Sequence, residues 1–355
     1  MPDDTQKPDA DQPADQPIRL IVGMSRAGTT WVTTELSRHP AVVSYGETML
    51  LGRMYHEPDQ PDGTDSPRAA AERLRLAAKH FEDYISHAKD PARRERYESS
   101  KLGHIPVETL EAIAADLQDR ASRCEESVPP SNAFLAMNGA VSVHTSKPIA
   151  IESTPNHLNM LPRILGFFPD ARIVAMLRGP YAFMISYKHQ GDRKEPAVQR
   201  MFRRLYHPLF CAMVWRKYAK NARLALHAHT ENVRTVWLDD LRKDRSRMVE
   251  LAEFLMIPDP GFFAHTPEEH SATNTSFPTG KRPELSHSDR FWMNLVASRE
   301  MKRHGLTSTP AGFHPLAVLG SLLRLPISAF HVVTIMSTRT GGSPIAYLRR
   351  LAVGR

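Results

Sequence analysis

The chain has 355 residues, of which 41% are hydrophobic and 24% charged, as in soluble globular proteins. Its two cysteines, Cys124 and Cys211, form no CxxC pair and no zinc-type cluster, which argues against a disulfide framework or structural zinc and fits a reducing, cytoplasmic compartment. The net charge is +7, but no basic segment has aromatic residues between its charges, as nucleic-acid-binding segments do. We therefore expect no nucleic-acid partner.

The first seventeen residues differ from the rest of the chain in composition. They carry five aspartates and one lysine and are rich in proline and glutamine. Because they lack the apolar core of a signal peptide, we expect residues 1–17 to form a disordered acidic tail. The rest of the chain then carries a net charge of +11, which suits an anionic cofactor or an acidic surface.

Residues 18–31 predict a strand, an anion-binding loop and a helix. An apolar run ends at Gly23, and a helix-compatible run follows the loop. Glycines allow a tight turn whose N–H groups converge on an anion, and the helix N-terminus adds a partial positive charge. The residues predicted to hold the anion are Ser25, Arg26, Ala27, Gly28, Thr29 and Thr30.

Two glycines separated by four residues also begin the P-loop of nucleotide hydrolases. That motif continues with a lysine, which is missing here, and Arg26 lies inside the loop instead. A guanidinium can make two parallel hydrogen bonds to phosphate oxygens. The loop therefore favours a phosphate or sulfate group over a nucleoside triphosphate with magnesium, the alternative being an ordinary glycine-containing turn.

A second predicted strand, 41–45, ends just before Glu47, and the block after it lacks α/β alternation. Its pattern is helical from about 68 to 117, and 127–138 is loop-like. We interpret residues 52–135 as a helical insertion on one side of a sheet.

From Pro148 the chain alternates again between predicted strands and helices. The strands are 149–151, 172–177 and 233–238, and the helices are 156–168, a run from 181, 202–229 and 245–255. This alternation predicts an α/β domain over 18–303, with a P-loop-like, mostly parallel sheet flanked by helices. Ligands bind at the carboxyl ends of such strands. Those ends carry Ser25, Arg26, Glu47, Ser153, Thr154 and Arg178.

Residues 304–355 contain five arginines, no acidic residue and a long apolar run. Arg324, Pro326 and His331 interrupt the run and argue against a membrane-spanning helix. We expect a basic, apolar C-terminal extension that lies on an anionic lipid surface at the inner membrane or docks a partner helix. A helix packed back on the domain is an equal alternative.

Four segments together carry a family resemblance. They are the loop 23–30, Leu177–Pro180 with Ser186, Trp237–Leu241 before a helix that ends at Leu255, and Thr279–Leu285. In this order they resemble four features of one enzyme family: the 5′-phosphosulfate loop, the 3′-phosphate site, a strand end with the sequence Tyr-Glu-Asp-Leu, and a basic loop late in the chain that closes over the nucleotide. The chain thus resembles the sulfotransferases that use 3′-phosphoadenylyl sulfate, in particular the branch of tyrosylprotein and bacterial sulfotransferases.

The resemblance implies sulfuryl transfer from 3′-phosphoadenylyl sulfate to a hydroxyl or amine, without a metal. Arg26 would receive the charge of the leaving phosphate, and Glu47 matches the glutamate that serves as general base in the tyrosylprotein branch. The residues assigned to the nucleotide are those at 25–30, Arg178, Ser186, Lys281 and Arg282. The insertion would form much of the acceptor pocket, and the acceptor is a small molecule, carbohydrate, lipid or peptide; a homo-oligomer is compatible with the sequence.

Departures from the family pattern leave alternatives open. Ser153 stands where the family has the lysine that assists the leaving oxygen, and Gly179 replaces an aspartate. Either Ser153 and Thr154 hydrogen-bond the bridging oxygen, or Lys147 or Lys281 reaches it, or turnover is weaker. The alternatives to Glu47 as base are His144 and His157, and Glu47 itself could merely begin a helix. The alternative functions are a nucleotide-dependent kinase of related fold and a catalytically degenerate nucleotide-binding scaffold.

Overall fold

The structure, a computed structural model, describes residues 16–52, 57–98, 100, 102–192, 194–265, 284–312, 314–339 and 343. The chain divides into two compact units. Unit 1 comprises Met1–Leu177 and Asn221–Glu269, and unit 2 comprises Arg178–Lys220 and His270–Arg355.

Five parallel strands form the sheet of unit 1, in the order β2-β3-β1-β4-β5. The strands are β1 (Arg19–Gly23), β2 (Val42–Gly46), β3 (Ile149–Ser153), β4 (Arg172–Leu177) and β5 (Val233–Trp237). Every residue of β1, β2 and β3 is buried, as in parallel strands covered on both faces. The predicted α/β fold with a mostly parallel sheet is confirmed.

Helices lie between these strands in the chain and also follow the last strand. In chain order they are α1 (Thr29–Leu36), α2 (Pro67–Lys89), α3 (Arg94–Glu98), α4 (Val107–Ser122), α5 (Asn132–Thr145), α6 (Leu161–Phe167), α7 (Pro180–Lys188), α8 (Pro196–Leu205), α9 (Pro208–Ala228), α10 (Leu238–Lys243), α11 (Ser246–Phe254), α12 (Phe262–His265), α13 (His287–Arg303) and α14 (Pro315–Arg339). A 3₁₀ helix, Pro155–Met160, leads from β3 into α6.

Several predicted elements differ from the structure. The helical pattern over 68–117 is divided into α2, α3 and α4, and the predicted helix over 156–168 begins as a 3₁₀ helix. Helix α5 begins within 127–138, where the sequence pattern predicted a loop, because Phe134, Met137 and Val141 are buried and the helix packs on α2 and α4. The predicted helix over 202–229 is divided into α8 and α9. Pro208 explains this break, since the residue before a proline is disfavoured in helical backbone.

Unit 2 is organised around the buried carboxylate of Asp289. Asp289 forms a capping box with Ser286 at the start of α13, and it accepts hydrogen bonds from Lys188 Nζ at 2.7 Å and the Tyr206 hydroxyl at 2.6 Å. Burial opposes its ionisation, but the bonds from Lys188 and Tyr206 outweigh burial and lower the pKa of Asp289. These contacts connect α7, the segment after α8 and α13.

Candidate functional site

Two glycines shape the loop between β1 and α1. Gly23 has a φ of +148°, and a Cβ there would lie 2.3 Å from the carbonyl oxygen of Met176 in β4. Gly28 has a φ of +81°, and its Cβ would lie 2.5 Å from Leu238 Cδ1. Any larger residue at either position would collide with the neighbouring element. The loop therefore turns tightly, and α1 begins at Thr29 as predicted.

Arg26 lies in this loop in a left-handed backbone conformation, with a φ of 68°. Non-glycine residues adopt this conformation rarely, and such strained positions cluster at functional sites. Its side chain is half-buried, and burial lowers the pKa of the guanidinium, which nevertheless stays charged in proteins. The N-cap residue Gly28 has no side chain to cap the first-turn N–H groups of α1. That these N–H groups and Arg26 bind an anion together stays a prediction.

The end of β2 places Glu47 at the same edge of the sheet. Gly46 pairs with Ser153 at the end of β3, and the Glu47 N–H donates to the Ser153 carbonyl at 3.1 Å. Since β3 lies between β2 and β1, and neighbouring strands lie about 4.8 Å apart, the ends of β1 and β2 are about 10 Å apart. Glu47 is exposed and, with a φ of 35°, is a second left-handed residue at this edge.

Glu47 does not begin a helix. Residues 48–52 form turns and irregular backbone, with a further left-handed residue at Met49. The alternative in which Glu47 stabilises a helix N-terminus is therefore wrong. The backbone instead projects the Glu47 carboxylate from a short connection at the strand end.

Glu152, the fourth residue of β3, connects the segments that follow β2 and β3. Its carboxylate is fully buried and accepts hydrogen bonds from the N–H and the hydroxyl of Thr48, at 3.3 and 3.0 Å. It also accepts from the N–H of Thr154 at 3.1 Å and from the Thr154 hydroxyl. One buried carboxylate thus positions the residues that directly follow Glu47 and Ser153. The sequence signal for this role is an acidic residue inside an apolar strand, directly followed by two hydroxyl residues.

Ser153 and Thr154 are both fully buried at the end of β3. A threonine hydroxyl has one proton, and that of Thr154 is directed to Glu152. A contact from Thr154 to a leaving oxygen would therefore require Glu152 to release it. Contact from Ser153 to the leaving group stays a prediction.

Two histidines lie beside this network. His157 is fully buried on the 3₁₀ helix, with Nδ1 3.2 Å from Glu152 Oε2, so it fits a partner of Glu152 better than a base for an acceptor. Burial lowers the pKa of His80, on α2, to about 4, although the nearby Gly46 carbonyl and Glu152 carboxylate favour its protonated form, so it is neutral near pH 7. This places His80 near the end of β2. No spacing in the sequence indicates this proximity, because it depends on how α2 packs.

Lys147 and His144 lie at the opposite edge of the sheet. Lys147 Nζ donates to the carbonyl of Val42, the first residue of β2, at 2.9 Å. His144 lies near the end of α5, which leads to the amino end of β3, with Nε2 3.3 Å from Asp116 Oδ2 of α4. The structure thus contradicts the alternatives in which Lys147 reaches the leaving group or His144 is the base.

Arg178 and Ser186 lie in unit 2, around the start of α7. Arg178 follows β4 directly in the chain, and its carbonyl accepts a hydrogen bond from Nε1 of the buried Trp215 at 2.9 Å. Gly179 is the N-cap residue of α7, and Ser186 is 2% exposed, two turns into that helix. Their predicted contact with a 3′-phosphate stays a prediction.

The two remaining predicted nucleotide contacts, Lys281 and Arg282, lie outside the described residues. Within the described part of the chain, no group of three or more histidine, cysteine, aspartate or glutamate side chains is arranged to hold a metal ion.

A sequence profile of the sulfotransferase family matches residues 17–258, which include the loop after β1, Glu47, Ser153, Arg178 and Ser186. The chain belongs to the sulfotransferase family. No curated protein sequence matches it.

Two solved sulfotransferase structures resemble the chain. One, STF9 from Mycobacterium avium, has a TM-score of 0.41 and 14% identity over 82% of this chain and 78% of its own. The other, STF1 from Mycobacterium tuberculosis H37Rv, has a TM-score of 0.41 and 16% identity over 81% of this chain and 77% of its own.

Proposed function

We propose that this sulfotransferase moves a sulfuryl group from 3′-phosphoadenylyl sulfate to a hydroxyl or amine of an acceptor by in-line displacement. The observation that carries the proposal is the position of Arg26. It is a half-buried cation in a strained loop before an uncapped helix start, at the same sheet edge as Glu47. This arrangement suits a reaction that needs positive charge at the leaving group and a base at the acceptor.

The proposed step balances charge and protons between these two groups. A bond forms from the acceptor oxygen or nitrogen to sulfur, while the bond from sulfur to the phosphate oxygen breaks. The phosphate keeps the electron pair, so the second product is adenosine 3′,5′-bisphosphate. Arg26 and the first-turn N–H groups of α1 stabilise the added negative charge, and Glu47 accepts the proton that the acceptor loses.

The choice of nucleotide separates this proposal from a kinase. We expect adenosine 3′,5′-bisphosphate to raise the melting temperature of the full chain and ATP with magnesium to leave it unchanged. About a hundred dissociation constants of ligand would stabilise the folded state by about 2.7 kcal/mol. A melting temperature raised by ATP with magnesium, and not by adenosine 3′,5′-bisphosphate, would instead indicate a kinase.

One observation favours a second candidate function, a nucleotide-binding scaffold without catalysis. Ser153 replaces the family lysine, and Lys147 is bound at the opposite edge of the sheet. A scaffold would be stabilised by adenosine 3′,5′-bisphosphate but would transfer no label. Incubation with donor labelled in the sulfate and a pool of cell-extract metabolites separates the two, since only an enzyme transfers label and thereby identifies its acceptor.

Arg178 and Ser186 are proposed to recognise the 3′-phosphate. Arg178→Ala should weaken binding of adenosine 3′,5′-bisphosphate by about 10- to 150-fold, the value of one charge-assisted hydrogen bond. The variant should bind adenosine 5′-phosphosulfate, which lacks the 3′-phosphate, as the wild type does. Ser186→Ala should show the same selectivity with a smaller loss. Calorimetry that finds equal losses for both nucleotides would contradict this assignment.

A further inference from the structure

Helix α14 in unit 2 presents its apolar side chains outward. On its inner face two small polar residues, Ser321 and Ser328, are buried, 9% and 4% exposed, and the apolar Val318, Leu325 and Val332 are half-buried. The outer face consists of side chains that are 52–82% exposed: Leu316, Leu319, Leu323, Ile327 and Phe330. Surface helices of soluble proteins normally direct apolar residues to the core and polar ones to solvent. On α14 five large apolar side chains are exposed instead, which indicates that something apolar covers the outer face.

Hydrogen bonds fix α14 in this orientation. The Ser321 hydroxyl accepts from Trp292 Nε1 at 2.8 Å, and the Ser321 carbonyl lies 2.9 Å from His207 Nε2. Both partners belong to the same unit, and α14 packs on α8 and α13. The outer face is therefore directed away from the unit by the fold itself.

Length and composition would allow part of α14 to span a bilayer, but its charges oppose that. Among the described residues, one helix segment passes this test, Pro315–Ile335, with a mean hydropathy of 1.7. Arg324 lies next to the centre of this segment, where a charge would be most costly in a bilayer. A helix that lies flat in the membrane interface instead allows Arg324 to reach the headgroups.

The charge of the C-terminal region favours anionic lipid. Glu300 is the last acidic residue of the chain, and seven lysines and arginines follow it. Arg324 is exposed on α14 itself. Basic residues close to an apolar interfacial surface bind anionic headgroups, each adding about 1 kcal/mol.

Arg324 also argues against a second copy of this chain as the partner that covers the outer face of α14. In a symmetric pair, each outer face would meet an identical face. In an antiparallel pair Arg324 would lie opposite its own counterpart, because it is next to the centre of the segment. No acidic residue after Glu300 is present to pair with the two cations. Two like charges opposite each other beside the apolar contact would repel, which disfavours this pairing.

We propose that the outer face of α14 docks on an anionic lipid bilayer, with the helix axis parallel to the membrane plane. The five apolar side chains enter the boundary between headgroups and acyl chains, and Arg324 binds lipid phosphate. This inference does not depend on the proposed sulfuryl transfer, because it uses contacts within unit 2 only.

Vesicle sedimentation with the full chain tests the proposal. We expect binding to vesicles of phosphatidylcholine with about a quarter phosphatidylglycerol, and at least about tenfold weaker binding to pure phosphatidylcholine. The triple change Leu323→Ser, Ile327→Ser and Phe330→Ser should reduce binding to the anionic vesicles by about a hundredfold or more. Arg324→Glu should reduce it at least about fivefold, because it replaces an attractive charge by a repulsive one.

Leu295→Ser is the matched control, since Leu295 is 62% exposed in the same unit but lies on α13. It should bind vesicles as the wild type does. All substituted side chains are exposed, so the melting temperature confirms that each variant is folded, and Arg324→Glu gives an independent test should the triple variant fail to fold. Three results would overturn the proposal: no binding by the wild type, equal binding by the folded variants, or a wild-type dimer in sedimentation equilibrium that the triple change dissociates.

Discussion

At the amino edge of the sheet in unit 1, basic side chains are bound to backbone carbonyls. Arg19 Nε donates to Leu255 at 2.6 Å, Lys147 to Val42 at 2.9 Å and an Arg172 nitrogen to Glu231 at 2.6 Å. At the carboxyl edge, by contrast, Arg26 and Glu47 lie in left-handed backbone beside an uncapped helix start. The amino edge thus uses its charges to close the fold, whereas the carboxyl edge holds charged groups in strained connections.

We propose that this difference separates structural charges from functional ones. A basic side chain bound to a backbone carbonyl compensates a group that would otherwise be buried without a partner. A left-handed residue can end a helix, as Ser146 does for α5 at the amino edge, but Arg26 and Glu47 end no helix. Substitutions at the carboxyl edge should therefore reduce catalysis, and substitutions at the amino edge should change mainly stability.

The largest effect should come from Glu47→Gln, which keeps the shape of the side chain but removes its basicity. The rate of transfer should fall by roughly 10² to 10⁴, the usual range for losing acid–base assistance. The affinity for adenosine 3′,5′-bisphosphate should stay near that of the wild type, because in the proposed step Glu47 acts on the acceptor. Turnover and calorimetry on one purified variant measure both quantities.

Glu111→Gln is the control, since Glu111 is another exposed carboxylate in unit 1, paired with Lys89. It should leave turnover unchanged. Wild-type turnover of Glu47→Gln would end the base assignment. Of the two histidines considered as alternatives, only His157 lies beside the carboxyl-edge network, so it would be tested next.

Arg26→Ala should produce the next largest effect and change binding and transfer together. Losing one charge-assisted contact corresponds to about 10- to 150-fold in affinity for adenosine 3′,5′-bisphosphate. Arg172→Ala is the matched control, because Arg172 begins β4 at the amino edge of the same sheet. Calorimetry should show a loss of affinity for adenosine 3′,5′-bisphosphate in Arg26→Ala only. Equal losses for both variants would contradict the distinction between the two edges.

Glu152→Gln should have a smaller effect and tests positioning. Glutamine keeps an acceptor oxygen, but its amide group opposes one of the N–H or hydroxyl donors of Thr48 and Thr154. The connections that carry Glu47 and Ser153 should shift, and kcat should fall by about 10- to 100-fold, the range that small misplacements produce. The KM for the donor should change little, and the pH profile of kcat should keep its shape.

Asp65→Asn is the control for Glu152→Gln, since Asp65 is also a fully buried carboxylate, paired with Arg73. It lies at the start of α2, about 20 Å along the helix from His80 at the sheet edge. We expect it to lower the melting temperature but to leave kcat per folded molecule unchanged. An equal fall in kcat for both variants would show that Glu152 has only a structural role.

The sequence predicts the parts of the site that depend on local pattern. The apolar run before Gly23 and the spacing of the glycines are enough to predict the first strand, the loop and helix α1. Tight turns near helix starts have strong local sequence signals. The alternation of strand and helix patterns after Pro148 is enough to predict a parallel sheet. The edge at which Glu47 lies is predicted because the short run 41–45 ends just before it.

The sequence does not predict contacts that depend on packing between distant segments. His80 lies near Gly46 although 34 residues separate them, and nothing in its sequence neighbourhood indicates this. Lys147 is close in sequence to Ser153, so it was a reasonable candidate for the missing family lysine. Strand β3, however, begins just after Lys147 and ends at Ser153, so the two residues lie at opposite edges of the sheet.

Lys147→Met should have the smallest effect and tests the amino edge directly. Burial lowers the pKa of Lys147, so the ammonium is partly desolvated, and its hydrogen bond to the Val42 carbonyl offsets this cost. Methionine keeps the apolar part of the side chain but leaves the carbonyl without this donor, a loss of about 0.5–1.5 kcal/mol in the free energy of unfolding. Nucleotide affinity and kcat should match the wild type. Urea unfolding and turnover measured together decide the matter, because a tenfold fall in kcat at unchanged stability would mean that Lys147 acts in catalysis and that the two edges are not functionally distinct.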